Sequence, residues 1–444
     1  MACFSNLSNE LVLEILRNVA PRDLGPACTI TKTISLLAAP ILEEHRRLRQ
    51  QFLSINNFCD TEHALVKFLI QILAKPDIAH YVRRLSLYYW CSKWGDMGDL
   101  YGFQASTQSQ MYPYESKDLQ LLRAAVENSK TVRADEVDEW LQAIQNGNED
   151  PVLALLLVHL PNLERFRPFS IGMPIEQTSR TIQRIKHAPA GTYLSHLKNV
   201  SINFDRGWEK ADMKMFFKSL MSLPSLTFCY VQGLTIDDKE CNLEWRLRPH
   251  ESNIAKLAFI LCTIGEKELS EVLESTKHLE ASSYRSLAPA DLSWRGSVGV
   301  LHHARHSLEK LTLLPHGDFY TERCSLREFE VLREIDIELA LFFSDIESDF
   351  QSLPDLLPPS IRIIRLRSRI KPPLSQLGAS REIIRIRQAI LCIMKVKDVM
   401  LPQLSKVHVI THPDERSVFV DTSKACDAQG VSFSLDFPSN YHPA

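Results

Sequence analysis

The residues Leu332-Arg333-Glu334-Ile335-Asp336-Ile337 carry aliphatic side chains at their first, fourth and sixth positions, and Ile361-Arg362-Ile363-Ile364-Arg365-Leu366 repeats that spacing 29 residues later. The same L-x-x-L-x-L pattern, or a near form of it, begins at Leu163, Leu197, Leu226, Ile254, Leu279, Leu308, Leu332 and Ile361. Successive starts lie 24 to 34 residues apart. So loose a pattern often arises by chance, and the near-constant spacing is therefore what indicates a structural repeat.

The segments between these patterns have helical periodicity, most clearly at 212–223 and 266–276. A strand followed by a helix is the unit of the longer leucine-rich repeats. We therefore predict an α/β fold in which residues 161–410 form an irregular leucine-rich-repeat solenoid, with a helix at 381–399 ahead of a last strand. A doubly wound sheet is the alternative, but the scarcity of glycine turns and the regular spacing argue against it.

Residues 1–50 have the pattern of a separate helical module. Leu7, Leu11 and Ile15 recur at helical spacing, and more apolar residues follow a break at Pro21. We predict three short helices joined by tight turns. A unit of this size buries too little surface to be stable alone, and it has no paired or metal-spaced cysteines, so it should dock against another surface.

Three strings in this module carry a family resemblance: Leu7-Ser8-Asn9-Glu10-Leu11-Val12-Leu13-Glu14-Ile15-Leu16, then Asp23-Leu24 with Cys28, then Leu36-Leu37-Ala38-Ala39-Pro40-Ile41-Leu42. In this order they resemble an F-box, the helical module that binds the Skp adaptor of cullin-based ubiquitin ligases. The repeat half is similar to the region that follows the F-box in many fungal F-box proteins. An ordinary helical hairpin that caps the rest of the chain is the alternative.

The resemblance implies which side chains would contact the Skp adaptor. The aliphatic ones would fill its apolar groove, and the two acids would stand at helix starts or at the rim of the contact. The residues are Leu7, Glu10, Leu11, Ile15, Leu16, Asp23, Leu24 and Leu36.

Two regions fit neither the module nor the array. Residues 51–160 form a helical and aromatic-rich connecting region, in which the segment 88–114 crowds tyrosines and tryptophans among Gly, Ser and Gln. This segment either packs over the domain as an insertion or supplies aromatic anchors to a partner. Residues 411–444 are assigned as a C-terminal tail.

The composition excludes several functional classes. The 444 residues are 45% hydrophobic and carry a net charge of -3, so no global field draws the chain to nucleic acid or to an anionic membrane. The N-terminus has no secretion signal, and the longest apolar run, 152–158, is too short to span a membrane. The ten cysteines have no paired spacing, which indicates reduced thiols in the cytoplasm or nucleus.

Motifs for catalysis or cofactor binding are missing from the sequence. It contains no phosphate-binding glycine loop, no G-x-S-x-G, no H-E-x-x-H and no C-x-x-C. His302 and His306 would share a helix face, but two imidazoles without a third ligand make a polar face more readily than a metal site. We expect no enzyme activity, no cofactor and no metal.

The residues that flank the inward aliphatics should line a groove for a protein substrate. Our candidates are Tyr230, Gln232, Asp336, Glu338, Arg365 and Arg367. Ten Lys or Arg face one acid between 361 and 397. These cations either bind an acidic ligand or pair with the acids of the preceding strand.

The sequence therefore predicts a substrate-recognition adaptor of a Skp-cullin-F-box ubiquitin ligase. The module would bind the Skp subunit, and the repeats would bind an unknown protein substrate. The alternative is a leucine-rich-repeat interaction scaffold unrelated to ubiquitin.

Overall fold

The structure is a computed structural model. It describes residues 7–19, 21–56, 63–90, 112–170, 175–189, 191–204, 210–236, 247–285, 299–314, 325–339, 342, 352–367, 376–411 and 413–436. Most of the predicted aromatic segment, 91–111, lies outside the described residues, as does the end of the predicted tail, 437–444. The chain divides into two compact units, residues 1–226 and 227–444.

The first unit begins with the three predicted helices. They are α1 (Asn9–Asn18), α2 (Pro21–Cys28) and α3 (Lys32–Phe52). The Ser8 hydroxyl accepts a hydrogen bond from the Leu11 backbone N–H at 3.5 Å, and the Thr31 hydroxyl accepts one from Ile34 at 3.1 Å. Both residues are N-caps, which satisfy backbone donors at a helix start. The predicted boundary at residue 50 lies within α3.

The three helices share one small core. It is formed by Val12, Leu16, Leu24, Cys28, Ile34 and Ala38, all of them buried. Partly buried side chains such as Leu37 and Ile41 pack around it. The module therefore closes its own interior from residues spaced three and four apart on each helix.

Among the described residues of the first unit, four parallel strands follow, and their order in the sheet is their order in the chain. They are β1 (Ser54–Asn56), β2 (Arg84–Trp90), β3 (Arg165–Ser170) and β4 (Asn199–Phe204). Six helices lie between or after them: α4 (Ala64–Ala74), α5 (Ser116–Asn128), α6 (Val137–Gln145), α7 (Asp150–His159), α8 (Glu176–Lys186) and α9 (Lys210–Met221). Two 3-10 helices, Pro76–Tyr81 and Ala134–Glu136, complete the described elements of this unit.

Helix α7 contains the longest apolar run of the chain, and it is buried along almost its whole length. At its start, the Asp150 carboxylate accepts hydrogen bonds from the backbone N–H groups of Gln177 and Thr178, at 2.7 and 3.0 Å. Burial nevertheless raises the pKa of Asp150 to about 7. A side chain of α7 thus caps the N-terminus of α8 and ties the two helices together.

An ion pair joins α8 to the 3-10 helix before α6. The Arg184 guanidinium donates two hydrogen bonds to the Glu136 carboxylate, each at 2.6 Å, and also contacts the Thr131 carbonyl oxygen. The hydrogen bonds from Arg184, helped by one from the Arg133 backbone N–H, lower the pKa of Glu136 to about 2. A depressed carboxyl pKa contributes stability above the ordinary pKa, and this contribution is lost as the pH falls towards the folded-state value.

We expect Glu136→Gln to lower the free energy of unfolding at pH 7 by about 3 kcal/mol. The difference from wild type should shrink as the pH falls from about 4.5 to 2. Urea unfolding at several pH values measures both effects. Glu127→Gln is the control, because its pair with Arg123 is exposed and such pairs contribute less than about 1 kcal/mol. An equal loss in the two variants would refute this role for Glu136.

In the described part of the second unit, eight parallel strands are again ordered in the sheet as in the chain. They are β5 (Phe228–Gln232), β7 (Lys256–Ile260), β9 (Ala281–Arg285), β10 (Lys310–Leu314), β11 (Glu334–Glu338), β12 (Ile363–Arg367), β13 (Lys406–Ile410) and β14 (Ser432–Asp436). Two short strands, β6 (Thr235–Ile236) and β8 (Thr263–Ile264), form a separate parallel pair.

Helices and helical turns lie between the strands of the second unit. The helices are α10 (Glu266–Ser275), α11 (Leu353–Leu356), α12 (Gln376–Met400) and α13 (Val420–Ala428). The 3-10 helices are His302–Ala304 and Pro413–Phe419. Residues 411–444, which were assigned as a tail, thus include a further helix and strand.

The predicted α/β class is confirmed, and the strands are parallel. Each of the eight pattern starts lies two residues before a strand, as Leu332 does for β11 and Ile361 for β12. Inside most of the strands, as in β12, buried and more exposed side chains alternate, so that Ile364 and Leu366 face the core while Arg365 does not. The aliphatic pattern therefore marks the start of each of these eight strands and the residues whose side chains are buried in the core.

Candidate partner-binding surfaces

Helix α1 presents apolar side chains to solvent beside its buried face. Leu11 is 49% exposed and Ile15, one turn later, is 39% exposed. Leu7, before the N-cap, is 36% exposed. Residues four apart lie on the same side of a helix, so Leu11 and Ile15 form one exposed stripe.

Two further aliphatic side chains of the module are exposed. Leu36 on α3 is 78% exposed and Ile30, between α2 and α3, is 57% exposed. Since α1 and α3 pack against each other, these side chains belong to the same small module. We call Leu7, Leu11, Ile15, Ile30 and Leu36 the exposed apolar set. Ile30 was not among the predicted contacts.

Leu16 and Leu24, which the resemblance placed in the adaptor contact, lie in the core of the module instead. Leu16 is 2% exposed and Leu24 is 3% exposed. A helix turns by about 100° per residue, so Leu16 points away from the stripe on which Ile15 lies. Both leucines can support the exposed surface but cannot form it.

The two predicted acidic residues lie in the first turns of their helices, Glu10 in α1 and Asp23 in α2. Both are exposed. The Glu10 carboxylate accepts hydrogen bonds from the Glu10 backbone N–H and from the Ser8 hydroxyl. These hydrogen bonds lower the pKa of Glu10. A negative charge at this position also complements the helix dipole.

The arginines of the predicted substrate surface pair with acids of the neighbouring strand. Arg367 donates to the Asp336 carboxylate in a bidentate pair at 2.7 and 2.6 Å. Arg365 donates to Glu334 at 3.3 Å, and the Lys310 ammonium lies 2.9 Å from the same carboxylate. Although burial alone would raise the pKa of Glu334, its contacts with Lys310 and Arg365 lower it. This arrangement favours internal pairing over an acidic ligand.

The remaining candidates of this surface also lie at the more exposed positions of their strands. Tyr230 and Gln232 are both half-buried on β5, where the tyrosine hydroxyl donates to the Gln232 side-chain oxygen at 3.3 Å. Burial raises the pKa of Tyr230. Glu338 lies opposite Arg367 in the strand register. The surface is therefore polar and largely satisfied by its own residues.

A double-mutant cycle on Asp336→Asn and Arg367→Gln should give a coupling energy of about 1–3 kcal/mol, since the pair is bidentate and the acid is buried. Chemical denaturation of the wild type, both single variants and the double variant measures it. The reference pair is Arg333 and Glu309, which lie 3.5 Å apart and are both exposed. A coupling energy for Asp336 and Arg367 no larger than for the reference would contradict the assignment.

Comparison with known proteins gives no family. No protein-family model matches the chain, and neither does any curated protein. Any assignment of function therefore rests on the residues and contacts described above.

The three histidines near residue 304 pair with acids rather than with one another. His302 lies 3.3 Å from Glu328, His303 lies 3.1 Å from Glu274, and His306 lies 3.0 Å from Glu330. No group of metal-ligating side chains occurs in the described ranges. The helices described by the structure also lack the combined length and apolar character of a membrane-spanning segment.

Proposed function

We propose that this protein is a substrate-recognition adaptor of a Skp-cullin-F-box ubiquitin ligase. The observation that carries the proposal is the division of apolar residues in the N-terminal module. Six of them close its core, while Leu11, Ile15 and Leu36 remain exposed. A module that is already closed and still presents aliphatic side chains has a surface suited to another polypeptide.

The exposed apolar set is large enough to anchor such a contact. Removing apolar surface from water contributes about 25 cal/mol per Å², and a few well-packed anchors supply most of the affinity of a protein interface. Leu36 is the most exposed aliphatic residue of the set. The F-box resemblance covers the same helices, and on that resemblance the partner is the Skp subunit.

Helix α3 connects this surface to the strands without a flexible linker. It ends at Phe52, and β1 begins at Ser54. The Leu53 carbonyl oxygen accepts hydrogen bonds from the backbone N–H groups of Arg83 and Arg84, at 3.0 and 3.1 Å. A rigid connection of this kind suits an adaptor, because it holds the module in a fixed position relative to the strands of the first unit.

The strands would form the substrate-binding part, as an irregular leucine-rich-repeat solenoid. Strand order that follows chain order, with an aliphatic pattern that recurs before most of the strands, supports this interpretation. The chain itself would do no bond chemistry. Its contribution would be to raise the local concentration of the substrate near a recruited ubiquitin-conjugating enzyme, in the cytoplasm or nucleus.

A scaffold unrelated to ubiquitin is the second candidate, and the docking of α3 favours it. His45 on α3 lies 3.1 Å from the Tyr81 hydroxyl, so the module also covers the start of the strand array. A cap needs no outward apolar surface, whereas an adaptor does. Mixing the full-length chain with a recombinant Skp subunit separates the two, because only the adaptor forms a complex.

A further inference from the structure

The outward face of β2 and β3 carries three exposed arginines: Arg84, Arg165 and Arg167. The residues between them in each strand, such as Leu85 and Phe166, are buried. Since side chains alternate across a strand, the three arginines lie on one face of the sheet. We call them the arginine cluster.

The strand register brings the cluster close together. Arg84 lies directly opposite Arg165, and Ser86 lies opposite Arg167. Neighbouring strands lie about 4.8 Å apart, and alternate residues of one strand lie about 6.6 Å apart. Three guanidinium groups therefore share a surface only a few residues wide.

Within the described residues, none of these three side chains has a hydrogen-bond or ion-pair partner. The contrast with other arginines is direct: Arg83 pairs with Glu164 at 3.1 Å, and Arg367 pairs with Asp336. Like charges directly opposite each other destabilise a sheet. The fold therefore gains no charge pairing from Arg84 facing Arg165, and the three charges are available to a ligand of opposite charge.

We propose that the arginine cluster binds an acidic segment of a partner protein, in extended form and with carboxylates at alternate positions. Alternate side chains of an extended peptide lie on one side at the same spacing as Arg165 and Arg167. Guanidinium groups bind carboxylates through two parallel hydrogen bonds. Tyr88 and Phe169, whose ring centroids are 5.9 Å apart, continue the two strands and supply apolar contact beside the charges.

A protein segment fits this surface better than a nucleic acid does. Affinity for nucleic acid comes largely from neutralising many phosphates, whereas the cluster offers three cations on a chain of net charge -3. The aromatic rings pack against each other rather than standing free for stacked bases. Charge complementarity with a short acidic segment needs only the three arginines.

This inference deepens the proposed function, since on that proposal the acidic segment belongs to the substrate. Its test does not involve the Skp subunit. If the protein binds the acidic peptide but not the Skp subunit, the proposed adaptor function is wrong and the peptide site stands. If it binds the Skp subunit but not the acidic peptide, only the proposal for the arginine cluster is wrong.

The probe is a fluorescein-labelled peptide of eight alternating Glu and Ser residues, titrated with the full-length chain at low ionic strength. We expect saturable binding that weakens as salt is added. Arg165→Gln with Arg167→Gln should weaken it about tenfold or more. Lys256→Gln with Arg285→Gln removes the same charge from exposed strand positions of the second unit and should leave it within about twofold.

The double variant should unfold thermally at the same or a higher temperature than wild type, because it relieves like-charge repulsion. This excludes misfolding as the cause of weaker binding. The proposal is overturned if the wild type does not bind the Glu-Ser peptide or binds a Gln-Ser peptide equally well. It is also overturned if the two charge-removing variants lose the same affinity for the Glu-Ser peptide. Tighter binding of a single-stranded oligonucleotide than of the peptide would overturn it as well.

Discussion

Leu11→Asp combined with Ile15→Asp is expected to abolish binding of a Skp subunit, a loss of more than about 100-fold in affinity. Both side chains lie on the exposed stripe of α1, so the substitutions place two carboxylates where the partner would bury aliphatic groups. An uncompensated charge in an apolar contact is strongly unfavourable. Because neither residue belongs to the core cluster, the circular dichroism of the chain should not change.

The matched control places the same kind of substitution elsewhere. Val399 is 83% exposed and Val420 is 52% exposed, both on helices of the second unit. Val399→Asp with Val420→Asp adds the same charge and removes comparable exposed apolar surface, and it should leave Skp binding intact. Binding that survives in the α1 double variant, or that fails equally in the control, would show that the contact lies on another surface.

Leu16→Ala is expected to destabilise the N-terminal module by about 2–5 kcal/mol. Leu16 is buried in the core of a module that has few other core residues. A cavity there removes a large part of what holds the three helices together. Hydrogen exchange of α1, α2 and α3 in the full-length chain measures the effect, and we expect much faster exchange in all three helices.

Leu11→Ala is the control for this prediction, because it makes the same chemical change at an exposed position of the same helix. It should change the free energy of helix opening, as measured by hydrogen exchange, by less than about 0.5 kcal/mol, while still weakening Skp binding. Leu16→Ala would weaken binding only through loss of the folded module. If the two variants exchanged hydrogen equally fast, the division into core and surface would be incorrect.

Much of the strand layout could be predicted from the sequence, because the same aliphatic spacing precedes β3, β4 and most strands of the second unit. The pattern fails at β14, where Gly430 occupies the position that an aliphatic residue holds before the other repeat strands. In the predicted connecting region, 51–160, the same spacing recurs at Val82, Leu85 and Leu87, and β2 begins two residues after Val82. Strand β1 is only three residues long, which is too short for the pattern to reveal.

The candidate site was predicted less completely, for a physical reason. Helix α1 has two apolar stripes with the same four-residue spacing, Leu11 with Ile15 and Val12 with Leu16. Because the spacing is the same, the resemblance could not separate the exposed stripe from the buried one. Which stripe faces inward depends on the packing of α2 and α3. The resemblance therefore named Leu16 and Leu24 together with residues that are in fact exposed.

The charged surfaces show the same limit. The sequence placed Arg365 and Arg367 on one face with the acids of the preceding strand, but only the structure shows diagonal pairing, Arg365 with Glu334 and Arg367 with Asp336. The arginine cluster was missed because its register crosses from the connecting region into the array. Counting charges along the chain draws attention to a dense run such as 361–397. The arginine cluster is not such a run, because its residues lie on two strands far apart in sequence.

The central claim is that the exposed apolar set of the N-terminal module binds a Skp subunit. Size-exclusion chromatography with light scattering on the full-length chain mixed with a recombinant Skp subunit tests it most directly. The account predicts a stable complex with one copy of each protein, whose mass equals the sum of the two. Separate elution of the two proteins at micromolar concentration would contradict it.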